Sequence, residues 1–156
     1  MPPWYWRSKF SSVTLNAIEQ AITQSEHLHN GELRFAVENS LSPLWVWRGM
    51  SVHQRATEVF SNLRIWDTED NSGVLIYLLL ADREVHILAD RGIARLVTQL
   101  EWQTIAEAMQ KEFQQGDYRA GALQGIMLIT ELLAKHFPPK ATKLNELPNR
   151  PVIIKK

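Results

Sequence analysis

The sequence predicts an α/β protein in which a small mixed sheet lies between helices. Residues 74–80 form an apolar run of strand length without a polar break, which is typical of a central strand buried on both faces. Residues 85–90 follow the two-residue period of a half-buried strand. On both sides of this pair, apolar residues recur at helical spacing. Strands and helices therefore alternate within one domain of 156 residues.

The amino-terminal part predicts one helix followed by one strand. After an aromatic arm at 1–13, apolar residues recur at helical spacing: Leu15, Ile18, Ile22 and Leu28. Ser11, Ser12 and Thr14 are candidate caps for the start of this helix, and Asn30-Gly31 is a typical end. Residues 32–38 then alternate in apolar character, which predicts a strand with one buried face.

The next segment predicts a loop and a crossover helix. Residues 39–50 contain Pro43, Gly49 and two tryptophans and are expected to form an ordered loop. Residues 51–54, Ser-Val-His-Gln, have the form of a capping box, and apolar residues follow on one helical face. A strand, a helix and a strand in this order imply a right-handed crossover. The strands at 32–38 and 74–80 should therefore be parallel.

A hairpin and two long helices are predicted to complete the domain. With residues 81–83 as the turn, the two strands pair antiparallel, which places Leu80 near Glu84 and Val74 near Asp90. Two helical patterns follow, the first ended by Gly116 and the second capped by Asp117 and ended by Pro138-Pro139. We expect the domain to span residues 14–137 and residues 138–156 to form a solvated, partly disordered basic tail.

Composition excludes several classes of protein. The chain has no cysteine, which excludes disulfides, thiol catalysis and cysteine-based zinc sites. The formal net charge of +0 gives no indication of nucleic-acid binding. No secretory signal is visible, and no apolar run approaches the roughly 20 residues that span a bilayer. We therefore expect a cytoplasmic protein without a transmembrane segment.

Acidic residues concentrate around the predicted hairpin. From residue 67 to residue 90 the only Lys or Arg is Arg83, and the carboxylates are Asp67, Glu69, Asp70, Asp82, Glu84 and Asp90. Hairpin geometry brings the Asp70-Asn71 loop and Asp90 to one edge of the sheet. Because the parallel strand begins at the same edge, Glu26 and Glu32 are expected to approach it.

Carboxylates crowded at a strand edge repel one another, and three arrangements relieve the repulsion. They splay into water, pair with a base such as Arg91, or share a cation. Hard oxygen ligands of this kind suit calcium or magnesium. Turn chemistry alone also explains the same residue types, since Asp, Asn, Ser and Gly are favoured in turns.

Other sites have weaker support in the sequence. His27 and His29 lie two residues apart, not at the i, i+4 spacing that puts two metal ligands on one helical face. The chain contains neither a Gly-x-Ser-x-Gly elbow nor a phosphate-binding glycine loop. Four of its six tryptophans either form an exposed apolar patch for a partner or dock over an open edge of the core: Trp4, Trp6, Trp45 and Trp47.

Several short motifs together resemble the TPM domain, a family of bacterial and chloroplast proteins. They are Gly-Glu-Leu-Arg at 31–34, Arg-Ala at 55–56, Trp-Asp-Thr at 66–68, Asn-Ser-Gly-Val-Leu-Ile at 71–76 and Ile-Leu-Ala-Asp-Arg-Gly-Ile at 87–93. The resemblance covers about residues 14–137. It implies a three-layer α/β/α sandwich with a small mixed central sheet flanked by helices. Some family members bind calcium or magnesium at an acidic surface site, which here would fall on Asp70, Asn71 and Asp90, and a thylakoid-lumen member is described as an acid phosphatase.

Two functions follow as expectations, and the first is preferred. In the first, Asp70, Asn71 and Asp90 hold calcium or magnesium, and the bound cation stiffens loops of an interaction or accessory module that meets a protein partner, a membrane-associated one being among the candidates. Glu26, Glu32, Asp67 and Arg91 are expected to support that site. The alternative is a metal-dependent phosphatase acting on phosphate monoesters, in which Arg91 balances the charge of the phosphate. No catalytic residue is assigned.

Overall fold

A computed structural model describes residues 5–141 and 144–155 of the protein. Within these residues the elements are, in chain order, α1 (Tyr5–Lys9), α2 (Ser12–Ser25), β1 (Glu32–Glu38), α3 (Pro43–Trp47), α4 (Val52–Asn62), β2 (Gly73–Leu79), β3 (Glu84–Ala89), α5 (Arg91–Ala94), α6 (Gln99–Gln114), α7 (Tyr118–His136) and β4 (Val152–Ile154). The strands form one mixed sheet in the order β3-β2-β1-β4.

The sheet pairs as the hairpin and crossover patterns predicted, with one adjustment. β1 is parallel to β2, and β2 is antiparallel to β3. Val74 pairs with Ala89 and Leu79 pairs with Glu84, so the predicted hairpin register is wrong by one residue. The reason is that Leu80 joins the turn, which Arg83 completes with a φ of 51°. Asp90 still lies at the expected edge, because its N–H donates to Gly73 O.

Helices cover both faces of the sheet and make the fold a three-layer α/β/α sandwich. The larger core lies between one face and α2, α6 and α7, and it takes alternate residues of β2 such as Val74, Ile76 and Leu78. The intervening residues Leu75, Tyr77 and Leu79 face the smaller core under α4. β2 is therefore buried on both faces, as its unbroken apolar run predicted.

The carboxyl-terminal segment is part of the sheet, so the prediction of a solvated tail is wrong. β4 pairs in parallel with the end of β1, with Glu38 opposite Ile154. The guanidinium of Arg34 donates to the carbonyl oxygens of Pro148 and Arg150 at 2.9 and 3.1 Å. This segment and α4 together cover the second face of β1, so all seven residues of β1 are buried instead of one face only.

The helix ends follow their capping residues. Ser11 Oγ accepts from Thr14 N and starts α2, which ends at Ser25; Leu28 is 57% exposed beyond that end and does not extend the buried face as predicted. Ser51 and Gln54 form the expected capping box of α4. The predicted loop at 39–50 contains the short helix α3.

The amino-terminal arm docks on the larger core. Tyr5 and Trp6 pack against it from α1, and Phe10 is buried against the rings of Phe35 and Tyr118. This is the second of the two arrangements expected for the arm. Trp4 lies outside the described residues.

Candidate functional site

Two loops meet at the end of the sheet where β1 and β2 begin. Besides the Asp90–Gly73 bond, Gly92 N donates to Asn71 O at 2.9 Å. Asn71 adopts a left-handed backbone with a φ of 51°, which asparagine tolerates better than most residues. The predicted approach of the Asp70-Asn71 loop to Asp90 is therefore confirmed for the backbone. We call residues 67–71 and 90–92 the acidic edge.

Gly92 makes this contact close. A Cβ atom added at Gly92 would lie 2.3 Å from Asp70 O and 2.6 Å from Asn71 O. Both neighbours are backbone oxygens, so they cannot rotate away as the tip of a side chain can. Two carbonyl oxygens are thus held against the start of α5.

The carboxylate of Asp70 is held by two donors. Its Oδ2 accepts from Asn30 Nδ2 at 2.9 Å and from Lys140 Nζ at 2.8 Å. These bonds stabilise the charged form, and the bond from Lys140, with that from Asn30, lowers the pKa of Asp70 below its ordinary value. Asp70 therefore remains an anion through the physiological range.

Asp90 divides its two carboxylate oxygens between different environments. Oδ1 accepts from Arg91 N at 2.8 Å and caps α5. Oδ2 is buried and has no hydrogen-bond partner among the residues that the structure describes. A buried carboxylate oxygen without a donor is destabilising, so a bound cation at this position would have a favourable partner.

The predicted supporting carboxylates act elsewhere in the structure. Glu26 Oε2 accepts from Leu33 N at 2.8 Å, and Glu32 Oε1 accepts from Glu146 N at 2.8 Å, so each holds backbone of β1 or of the carboxyl-terminal segment. Asp67 pairs with Arg64 at 3.0 Å on the exposed side of its loop. None of these observations brings Glu26, Glu32 or Asp67 to Asp90.

Basic residues surround the acidic edge. Arg91, with Arg95 and Asn71, lines an open surface cavity of about 470 Å³. Asp70 borders a second cavity of about 430 Å³ together with Arg95, His136 and Lys140. Lys140 was not predicted at this site, because its position was assigned to the tail. The signal that could have located it is Pro138-Pro139, which ends α7 at this edge and leaves Lys140 only a few residues away.

The side chains of the acidic edge do not form a complete metal centre by themselves. In residues 5–141 and 144–155, no three His, Cys, Asp or Glu side chains form a group suited to a metal ion. A cation at the edge would therefore need backbone carbonyl oxygens and water in addition to carboxylates, which is common for calcium.

A buried serine and histidine lie beside the edge but in an arrangement unsuited to nucleophilic catalysis. His29 Nδ1 accepts from Gly31 N at 3.0 Å, so the neutral ring carries its proton on Nε2, which lies 2.9 Å from Ser25 Oγ. Ser25 Oγ lies 2.5 Å from Thr130 Oγ1, which donates to Ile126 O. His29 therefore donates to Ser25, whereas a general base must accept the serine proton.

A second polar cluster lies at the opposite end of β1 and is fully buried. Glu38 accepts from Arg55 Nε at 2.8 Å, from Arg55 Nη2 at 3.0 Å and from the hydroxyl of Tyr77 at 2.5 Å. Burial, together with the hydrogen bond to Glu38, raises the pKa of Tyr77, and the hydrogen bond to Glu38 raises the pKa of Arg55. Each strong donor and acceptor has a partner, which is the arrangement of a structural ion pair.

One family model and two solved structures are similar to this chain. The model of the TPM domain family matches residues 8–132. The NMR structure of the BA42 protein from the psychrophilic bacterium Bizionia argentinensis is 33% identical in sequence and superimposes with a TM-score of 0.82, covering 92% of this chain and 94% of that one. The N-terminal domain of a P. gingivalis protein shares the fold, with a TM-score of 0.65, 17% identity and coverage of 81% and 78%. No curated protein matches the sequence. Within the described residues, no helix is long and apolar enough to cross a membrane.

Proposed function

The chain belongs to the TPM domain family, and from this membership and the geometry of the acidic edge we propose that it binds calcium or magnesium and acts as an interaction or accessory module. The observation that carries the proposal is the buried Asp90 Oδ2, which lacks a hydrogen-bond partner in the described part of the chain. Asp90 belongs to the segment that contacts the carbonyl oxygens of Asp70 and Asn71.

The oxygen atoms at this edge are the ligands that hard divalent cations prefer. Asp90 and Asp70 supply carboxylate oxygens, and the turn at Asn71 supplies carbonyl oxygens. Water would complete the coordination shell. Because the ligands come from two loops, the bound cation would hold the loop at 67–71 against the segment at 90–92 and present a single rigid surface to a protein partner.

The site requires no help from Glu26 or Glu32 as ligands. Their hydrogen bonds to Leu33 N and Glu146 N fix the start of β1 and the carboxyl-terminal segment around the edge. Arg91 is exposed next to Asn71, where its charge balances negative charge and leaves the carboxylates of Asp70 and Asp90 accessible to a cation. In this proposal these residues position the loops.

One observation favours the alternative, a phosphatase. Arg91 and Arg95 line the cavity beside Asn71, and paired guanidinium groups suit a phosphate monoester. The difficulty is the attacking group, because the hydrogen bonds of Ser25 and His29 run in the wrong direction for a serine nucleophile. We therefore prefer the binding module.

Calorimetric titration of chelator-treated protein with calcium and with magnesium tests the proposal. We expect saturable binding that is weakened at least about tenfold in Asp90→Asn, because the substitution removes the charge of the ligand. Asparagine is an equally good helix cap, so α5 and the fold are expected to survive. Asp82→Asn is the matched control, since Asp82 lies in the exposed turn at the other end of the same hairpin.

Each result has a defined meaning. Equal binding by Asp90→Asn and the unmodified protein, or no binding at millimolar cation, would contradict the proposed site. Cation-dependent release of phosphate from a monoester, lost in Asp90→Asn and retained in Asp82→Asn, would instead support the phosphatase.

A further inference from the structure

The short helix α3 presents an unusual amount of apolar surface to solvent. Leu44 is 49% exposed, Val46 59% and Trp47 84%, all within five residues. Leu44 and Trp47 are three positions apart and lie on the same helical face. Single exposed apolar residues are common on soluble proteins, but three in one turn and a half of helix indicate a contact surface.

A contact between Trp45 and Arg55 of α4 fixes the orientation of α3. Trp45, on the side of the helix opposite Trp47, lies under the guanidinium of Arg55, with 4.6 Å between Arg55 Cζ and the ring centroid. Arg55 is itself fixed by its bidentate pair with Glu38. The exposed Trp47 therefore lies on a helix that is anchored, through Trp45, to a buried ion pair.

The topology of the sheet brings basic segments to the same end. Glu38 and Ile154 are paired in parallel strands, so residues 39–51 and Lys155 leave the sheet at one end. Lys155 Nζ lies 5.8 Å from the ring centroid of Trp6, which places α1 there as well. We call residues 5–12, 39–51 and 152–155 the aromatic end.

The aromatic end has one sign of charge. Its three segments contain no Asp and no Glu, and their cations are Arg7, Lys9, Arg48 and Lys155. The nearby β2–β3 turn adds Asp82 and Arg83, whose charges cancel. Arg7, Arg48 and Lys155 are exposed. Next to α3, Arg55 pairs with the buried Glu38 and with Glu58, whose side chain is 45% exposed. The three segments themselves carry an excess of cations around exposed apolar side chains, which complements an anionic surface.

We infer that the aromatic end docks on the surface of an anionic phospholipid bilayer. Trp47 and Leu44 would enter the region between headgroups and acyl chains, where tryptophan is favoured because its ring is apolar and its N–H is polar. Arg48, Arg7, Lys9 and Lys155 would contact lipid phosphates, with their apolar stems along the surface. The excess of cations around the exposed apolar side chains favours a lipid surface over a protein partner, because the cores of protein interfaces are depleted of charged residues.

Co-sedimentation with vesicles tests this inference on the whole chain. We expect binding to vesicles of phosphatidylcholine mixed with phosphatidylglycerol, weak binding to phosphatidylcholine alone, and release at high salt. Trp47→Ser should lower the partition coefficient by about tenfold, because it removes the main inserting side chain. Arg48→Glu should weaken binding to the anionic vesicles and leave binding to neutral ones unchanged.

Trp66→Ser is the matched control. Trp66 is 47% exposed but lies after the far end of α4, close to the acidic edge, so its substitution should leave vesicle binding unchanged. Circular dichroism melting of Trp47→Ser should match that of the unmodified protein, since Trp47 is largely outside the core. Failure of the full chain to bind anionic vesicles, equal binding to neutral vesicles, or equal losses in the two tryptophan variants would overturn the inference. Capture of a protein partner through Trp47 without vesicle binding would also overturn it.

Discussion

The two ends of the sheet are stabilised by different kinds of interaction. At the end where β1 stops, next to the aromatic end, Arg55 and Glu38 are both buried and share two hydrogen bonds. At the acidic edge, the ion pair between Lys140 and Asp70 is open to water, with 59% of the Lys140 side chain exposed. Breaking a buried ion pair leaves an unpaired charge in the core and is strongly destabilising, whereas an exposed ion pair contributes little to stability. The Arg55–Glu38 pair is therefore a fixed structural element at one end, and Lys140 is an exchangeable counter-ion of Asp70 at the other.

Ionisation shows the same contrast. The raised pKa values of Arg55 and Tyr77 keep Arg55 cationic and Tyr77 neutral across the physiological range. The lowered pKa of Asp70 keeps an exposed carboxylate charged while its partner Lys140 remains in contact with water. Of these two ends of the sheet, the acidic edge therefore combines a permanent negative charge with a partner that another cation can replace.

The largest expected effect is the loss of the buried pair. Arg55→Ala removes two hydrogen bonds to the buried carboxylate of Glu38 and keeps the one from the hydroxyl of Tyr77, and we expect the free energy of unfolding to fall by about 3–5 kcal/mol. Urea denaturation measures it. Arg64→Ala is the control, because its pair with Asp67 is exposed and should contribute less than about 1 kcal/mol. Similar losses in the two variants would remove the proposed difference between buried and exposed pairs.

A smaller effect is expected from closing the space at Gly92. The Cβ atom of Gly92→Ala would overlap Asp70 O and Asn71 O, and the required backbone shift should cost about 1–3 kcal/mol in unfolding free energy. Amide chemical shifts of residues 70–71 and 90–92 should move together. In Gly31→Ala the nearest atom is the flexible Leu133 Cδ1 at 3.2 Å, so that control should cost less. If Gly92→Ala changed neither the free energy of unfolding nor these chemical shifts, the two loops would not be tightly joined.

Much of the fold was predictable because local patterns determine it. The apolar run of β2 and the capping box at Ser51 depend only on neighbours in sequence. β4 could not be predicted in the same way, because it is three residues long and becomes a strand only through pairing with β1. The burial of Arg34 also depends on that distant segment, whose carbonyl oxygens accept its hydrogen bonds.

The candidate site was predictable in position but not in its partners. Hairpin geometry alone brings the Asp70-Asn71 loop to Asp90. The contact between Asp70 and Lys140 depends on the path of the chain after α7, which no local pattern determines. Glu26 and Glu32 resembled ligands because they are carboxylates near the edge, whereas the backbone N–H groups that they accept from are visible only in the tertiary structure.

The smallest expected effect is the one that most directly measures the exchangeable counter-ion. Lys140→Gln removes the main cause of the low pKa of Asp70, so that pKa should rise toward its ordinary value in an NMR pH titration of the carboxyl carbon.

Because the folded-state pKa of Asp70 is depressed, its stabilising contribution is present above the unfolded pKa near 3.8 and is lost as pH falls through the folded value. The stability difference between Lys140→Gln and the unmodified protein should therefore be largest near neutral pH and vanish in strong acid. Lys135→Gln removes a basic residue in the last turn of α7 that is not a cause of the low pKa of Asp70, and it should leave the titration of Asp70 unchanged. An unchanged Asp70 titration in Lys140→Gln would mean that Lys140 does not act as the counter-ion, and the acidic edge would then lack the exchangeable partner that distinguishes it from the buried Arg55–Glu38 pair.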